Sequence, residues 1–397
     1  MKTLRLISCG LAALVTASTA GQNLPKAGPA SQKVAAAPPW RQKTIRFSDE
    51  KVILGLPGGS ARSAKHCSDS GTTFVDLYAD PSSPGTQTVP QLFRITPDGE
   101  VMGLIRKIPV DFTDISVRDF FPADHTLVTL LEATKRDDRS DPSPPREISY
   151  FLSLSDYDGG SAKLLPLELK FRPFKVAQFG SGDFLVLGWD EANLLPLLAL
   201  LKEDGTLRRF IDLEDPRHPE FYTIYGSLKE VESSGRARTA LATLQRAEFV
   251  PYGSEVLLTY PGTAKGVSVL SAVGEDRSIP IQLPAGFVLH DVLVSGARYP
   301  LVLRAQPMEV SEKAATGNTD STPQRLLEME ARNGTLLREF LFDKPHLDAV
   351  TCASGTTLTA IFYDTIADPT HPAAGPSDQS PQAQNPAQLV IATAPRR

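Results

Sequence analysis

From about residue 43 onward, apolar and polar positions alternate in short runs separated by clusters of Gly, Asp, Ser and Pro. A period of two between turn residues is the pattern of β-hairpins with one buried face. The clearest hairpins are His66–Tyr78, Asp119–Leu131, Gln178–Trp189, Glu248–Tyr260, Asp291–Leu303 and Thr351–Tyr363, each ending in a strongly apolar strand. A second hairpin follows each of them. It is plainest at Leu92–Val101 around Asp98-Gly99, and recurs around Asp158-Gly159, Asp204-Gly205, Val273-Gly274 and Asn333-Gly334. Asp-Gly and Asn-Gly supply the positive φ that a tight turn between twisted strands requires.

Two hairpins make a four-stranded unit, and the unit recurs along the chain. The expected fold is therefore all-β, a six-bladed β-propeller with four antiparallel strands per blade over residues 43–397. The last unit ends on its third strand, Gln388–Ala392. Thr44–Phe47 or Val52–Leu54, which precede the first unit without a partner of their own, are expected to complete the last blade. Such a strand would close the ring and cover the open edges.

In an up-and-down blade, the first-to-second and third-to-fourth turns share one face. These turns are short throughout. The other face receives the long connections: 80–89, 135–145, 305–323 and 364–387 within blades, and 214–241 between blades. Long loops on a rigid scaffold are where recognition residues concentrate. Phe221, Tyr222 and Tyr225 give the 214–241 connection an apolar content that a spacer would lack, and Leu228–Leu244 has the spacing of a short helix.

Aligning the inner strands with one-residue gaps yields two columns. Cys67, Phe120, Phe179, Phe249, Val292 and Cys352 form an apolar column expected to pack between blades. His66, Asp119, Gln178, Glu248, Asp291 and Thr351 form a polar column expected to face the axis. An oxygen-rich ring with carboxylates Asp119, Glu248 and Asp291 suits Ca²⁺ or Mg²⁺. Cys67 and Cys352 stand in the first and last units, so a disulfide between them is expected to staple the closure of the ring.

The layout of inner strand, glycine turn, apolar second strand, third strand, Asp-Gly turn and outer strand resembles the NHL and TolB-like propellers. The resemblance spans most of residues 43–397 at the level of architecture. The Ser-Pro-Asp-Gly repeats of TolB are absent, and Leu77-Tyr78-Ala79-Asp80 echoes an NHL motif only loosely. Gluconolactonase-like propellers are similar in placing a metal on the axis. That likeness implies an alternative function, a metal-dependent hydrolase or lactonase with its site in the channel.

Composition and the N-terminus set the remaining expectations. Residues 1–20 carry Lys2 and Arg5, an apolar stretch and Ser18-Thr19-Ala20, which together read as a cleaved signal peptide. Leu6-Ile7-Ser8-Cys9 matches a lipobox, but too few apolar residues separate Arg5 from Cys9 for lipidation. Residues 21–42 read as a disordered Pro/Ala-rich spacer. The chain should thus be secreted or periplasmic and monomeric, with no membrane span after cleavage. A net charge of −5 without a basic stripe excludes a nucleic-acid partner. There is no Gly-x-Ser-x-Gly elbow and no close histidine pair, and Gly180-Ser181-Gly182-Asp183 fits a hairpin turn. The sequence therefore points to a non-enzymatic binding or scaffold protein for an extracytoplasmic protein, peptide or glycan. No cofactor is required, with Ca²⁺ or Mg²⁺ as the axial candidates.

Overall fold

The computed structural model describes residues 42–45, 49–53, 65–67, 71–77, 91–112, 114–135, 147–193, 195–211, 241, 244–260, 266–273, 277–281, 283–293, 301–307, 325–330, 334–342, 350–354, 357–365 and 387–395. The expected signal peptide, nearly all of the spacer and most of the long connections, with Phe221, Tyr222 and Tyr225, lie outside these residues. So does most of the expected helix, although residues 244–246 are helical.

The chain is an all-β propeller whose blades are built from four antiparallel strands. In chain order the complete sheets begin with β3 (Lys65–Cys67), β4 (Thr73–Leu77), β5 (Gln91–Ile95) and β6 (Val101–Leu104). Next come β7 (Asp114–Pro122), β8 (Thr126–Lys135), β9 (Glu147–Asp156) and β10 (Ala162–Leu167). The third sheet holds β11 (Arg172–Gln178), β12 (Phe184–Asp190), β13 (Leu195–Leu201) and β14 (Leu207–Ile211). The fourth holds β15 (Glu248–Tyr252), β16 (Glu255–Thr259), β17 (Gly266–Leu270) and β18 (Arg277–Pro280). Each sheet follows sequence order with antiparallel neighbours, and tight turns join its first to its second strand and its third to its fourth.

The two sheets that follow both recruit the N-terminal segment. The strands β19 (Phe287–Leu293), β20 (Leu301–Pro307), β21 (Arg325–Met329) and β22 (Leu336–Phe342) are joined by β1 (Gln42–Ile45), which pairs parallel with β22. The strands β23 (Val350–Ser354), β24 (Thr357–Thr365) and β25 (Ala387–Pro395) are joined by β2 (Asp49–Ile53), antiparallel to β25. This corrects the expectation of six identical four-stranded blades: five sheets are four-stranded, and the β19–β22 sheet carries a fifth, parallel strand. The reason is the outer edge of β22, whose unpaired backbone groups β1 covers. Gln42 thus belongs to a strand rather than to the spacer. Thr44–Ile45 and Val52–Ile53 were alternatives for one place; they occupy two.

Apolar alternation fills the spaces between sheets. The column Cys67, Phe120, Phe179, Phe249, Val292 and Cys352 is buried, with exposures of 9% or less. The inner strands crowd together: β7 contacts β3 and β11, β11 contacts β15, and β23 contacts β19 and β3, while β15 also reaches β7 and β3. The Cys67 and Cys352 side chains are joined in a disulfide between the first sheet and the β23–β25 sheet, and the Thr73 hydroxyl lies 3.0 Å from Cys352 Sγ.

The outer turns repeat one contact. Gly334 has φ +70°, and a Cβ built on it would lie 1.7 Å from the Pro280 carbonyl oxygen of the preceding sheet. Gly159 faces the Gly103 carbonyl and Gly205 the Pro166 carbonyl in the same way, at 3.2 and 3.3 Å. Glycine is needed at 334 both for its left-handed backbone and for the close approach. Gly286 separates the two requirements, since its φ is +79° with nothing within 4 Å of an added Cβ. We expect Gly286→Ala to cost about 1–2 kcal/mol from backbone strain alone, and Gly334→Ala to cost at least about 1 kcal/mol more. Urea unfolding of the two variants checks this; equal losses would remove the inter-blade contact from the account.

Candidate functional site

The polar column begins with a buried tie between two blades and a buried ion pair within a third. Asp119 is 3% exposed; its Oδ2 accepts the Val176 N–H at 2.9 Å, and its Oδ1 lies 3.5 Å from Lys175 Nζ. One carboxylate thus binds β7 to β11. Asp291 accepts from the guanidinium of Arg304, which is 1% exposed, and sits 3.3 Å from His290 Nδ1. Glu248 is half-buried at the start of β15. His66 and Thr351 fall on β3 and β23, opposite Phe74 and Ala360. Among the described residues no three His, Cys, Asp or Glu side chains come together to hold a metal ion, so the carboxylates of Asp119, Glu248 and Asp291 are not gathered there.

Gln178 does not share the place of Asp119. Backbone register shifts fall immediately before Asp119, Lys175 and Asp291, between Val117 and Asp119, Pro173 and Lys175, and Leu289 and Asp291. A bulge moves every later residue by one position. Lys175 is therefore the counterpart of Asp119 and Asp291, and the two neighbouring counterparts Asp119 and Lys175 are oppositely charged. Gln178 lies nearer the turn, where its Nε2 donates to the Gly182 carbonyl at 3.2 Å and its Oε1 accepts from the Thr126 hydroxyl at 3.4 Å.

Gln178 thereby reaches the second feature, a hollow of about 230 Å³ on the face of the short turns. Inner hairpin turns supply Thr72, Ala123, Asp124, Gly180 and Gly253, the outer turn after β9 supplies Tyr157, and β5 supplies Arg94. Phe121, Pro122 and Pro251 add apolar surface to its lining. The turns meet closely: a Cβ on Gly180 would lie 3.6 Å from both Asp124 Oδ2 and the Ser254 Cα. The Gly180–Gly182 hairpin is closed by Phe179 N–H on the Asp183 carbonyl and Gly182 N–H on the Phe179 carbonyl, both 2.9 Å.

Tyr157 is anchored from three sides. Its hydroxyl donates to the Ala123 carbonyl, its ring centroid is 4.9 Å from that of Phe74, and its carbonyl accepts from Arg94 Nη1 at 2.8 Å. The Arg94 guanidinium carbon also lies 5.9 Å from the ring centroid, within cation–π range. Glu255 accepts from Arg277 at 3.0 Å. Sequence reasoning missed Arg94, Asp124, Tyr157 and Glu255. The one available signal was a cation within the apolar run Leu92-Phe93-Arg94-Ile95.

On the opposite side of the β7–β11 boundary, Glu132 pairs with Arg118 and lies 3.9 Å from Arg172. Burial and then the Glu132 charge push the nearby Tyr150 hydroxyl above its usual range. This cluster is a second tie between the same two blades.

Neither a family model nor a curated relative matches the sequence. Solved structures overlap it in fold. A structure titled "Phage phi92 endosialidase" is similar at 9% identity and TM-score 0.46, covering 88% of this chain and 69% of its own. "YCF48 bound to D1 peptide" is similar at 10% identity and TM-score 0.38, covering 80% and 81%. "Structure of Dos1 propeller" is similar at 10% identity and TM-score 0.33, covering 80% and 70%. At these values the likeness says nothing of activity or ligand.

The Asp119 tie has a measurable consequence. Asp119→Ala would leave a buried N–H and an ammonium without their acceptor, which we expect to cost about 2–4 kcal/mol of stability in urea unfolding. Asp119→Asn, which keeps an acceptor for Val176, should lose less. Full stability in Asp119→Ala would show that the carboxylate is not a structural tie.

Proposed function

We propose that this chain is an exported propeller that binds a small polar ligand in the hollow at the mouth of its axis. The observation that supports this most is the pair Arg94 and Asp124. Both line the hollow, and neither has a counter-ion among the described residues. Charged side chains converging on a concave site fix ligand orientation, whereas Asp119 of the polar column is engaged in holding two blades together. On this reading the protein is a binding protein rather than a catalyst. The long connections, Phe221, Tyr222 and Tyr225 among them, are on sequence grounds a second candidate surface for an extracytoplasmic protein, peptide or glycan. Export rests on the N-terminal sequence, Lys2 to Ala20.

We also infer that the sheets form one closed ring of six blades, with β2 completing the last. Support comes from the antiparallel register of Asp49–Ile53 on Leu389–Thr393 and from the disulfide between the sheets at the two ends of the series. Gly71 of the first inner turn also approaches Ser354 of the β23–β24 turn, 2.9 Å from an added Cβ. A crosslink across 285 residues would stabilise by about 5 kcal/mol in the chain-entropy view. Reduction should therefore lower the urea midpoint, and a Cys67–Cys352 peptide should appear in non-reducing digests. Both thiols alkylatable in unreduced, denatured protein would refute the staple.

The binding reading is tested with Gly180→Phe. The backbone there tolerates a side chain, and the ring would project beside Asp124 and Ser254. In a thermal-shift screen of small polar metabolites, the wild type should respond to at least one compound and Gly180→Phe to none of the same compounds. An undiminished response in the variant would move the site elsewhere.

A further inference from the structure

Four of the half-buried and buried arginines of the described residues face carboxylates. Arg118 faces Glu132, Arg172 faces Glu132 and Glu191, Arg304 faces Asp291, and Arg325 faces Glu339. Arg94 is half-buried too, yet it faces no carboxylate among the described residues. One of its N–H groups is held by the Tyr157 carbonyl and its plane lies near the Tyr157 ring. A guanidinium carries five N–H donors in a rigid fork, so most of Arg94's capacity is left for another group. An anion docking there would find a cation already oriented, and partly shielded from water, by Tyr157 and Phe74.

The rest of the hollow restricts that anion. Asp124 is an exposed carboxylate to which no described side chain donates, and Glu255 is neutralised by Arg277. The uncompensated charges are thus one cation and one anion. A dianion such as phosphate would meet Asp124 unfavourably. A ligand with a carboxylate and an ammonium matches both. The volume agrees: about 230 Å³ is below the roughly 300–1,000 Å³ of pockets for drug-sized ligands.

We propose that the hollow binds a free α-amino acid or closely similar small zwitterion, its carboxylate on Arg94 and its ammonium on Asp124. This rests on the hollow being a ligand site at all, and the test separates the two. Calorimetry of the full protein with the common free amino acids, at one ionic strength, is expected to find at least one that binds. Its carboxamide should bind at least tenfold more weakly, through loss of the Arg94 partner, and the corresponding 2-hydroxy acid should also bind more weakly, through loss of the ammonium. Arg94→Gln is expected to weaken the amino acid ten- to hundredfold, with Arg94→Lys between it and wild type. Asp124→Asn should remove the preference for the amino acid over the 2-hydroxy acid. Thermal unfolding of each variant confirms that it is folded. No binding by any amino acid, or equal binding of acid and carboxamide, overturns the proposal. If another compound class binds and Gly180→Phe abolishes it, the hollow stands as a site and only the ligand class is wrong. If Gly180→Phe leaves binding intact, the site itself falls.

Discussion

Three outer hairpins, at Gly159, Gly205 and Gly334, are seated closely on the blade before each, and this contact constrains how successive sheets pack. Gly159, Gly205 and Gly334 turn against the carbonyls of Gly103, Pro166 and Pro280, where a side chain would meet backbone that cannot give way. This contact brings successive sheets to a close and recurring separation at their outer edges. Their inner edges are then crowded, and β15 reaches β7 and β3 across the axis as well as its neighbour β11. Among the inner strands Asp119 finds its partners on the next strand, at Val176 and Lys175. An open hollow lies among the inner turns.

Much of the fold was legible because its signals are local. Period-two alternation and the Asp-Gly turns mark hairpins without help from distant residues, and Gly99, Gly159 and Gly205 have the positive φ those turns need. Distant pairing is less visible. Two short N-terminal runs offered for one place in fact serve two sheets, because nothing in Gln42–Ile45 announces a parallel partner. Bulges are harder still. Phe174 and His290 are ordinary strand residues by composition, so nothing local marks the register shifts at which they sit.

The candidate site was mostly illegible for a related reason. Arg94, Asp124, Tyr157 and Glu255 come from three sheets and from different positions within them. No spacing in the chain connects them; only the packing of blades does. Each alone looks like a turn residue or an exposed strand position. What distinguishes Arg94 is that no carboxylate among the described residues faces it, which shows only once its surroundings are known. The inner-strand polar residues gave the opposite impression. Two of the most prominent, Asp119 and Asp291, are already engaged, one with Val176 and Lys175 of the next inner strand and the other with Arg304 of its own sheet, so prominence of charge was a poor guide to availability of charge.

The most direct measurement is a crystal structure of the protein soaked with the amino acid that calorimetry ranks highest. The account predicts density in the hollow with the ligand carboxylate about 3 Å from the Arg94 guanidinium and its ammonium toward Asp124. Density for the ligand among the long connections instead, with Arg94 unoccupied, would contradict it.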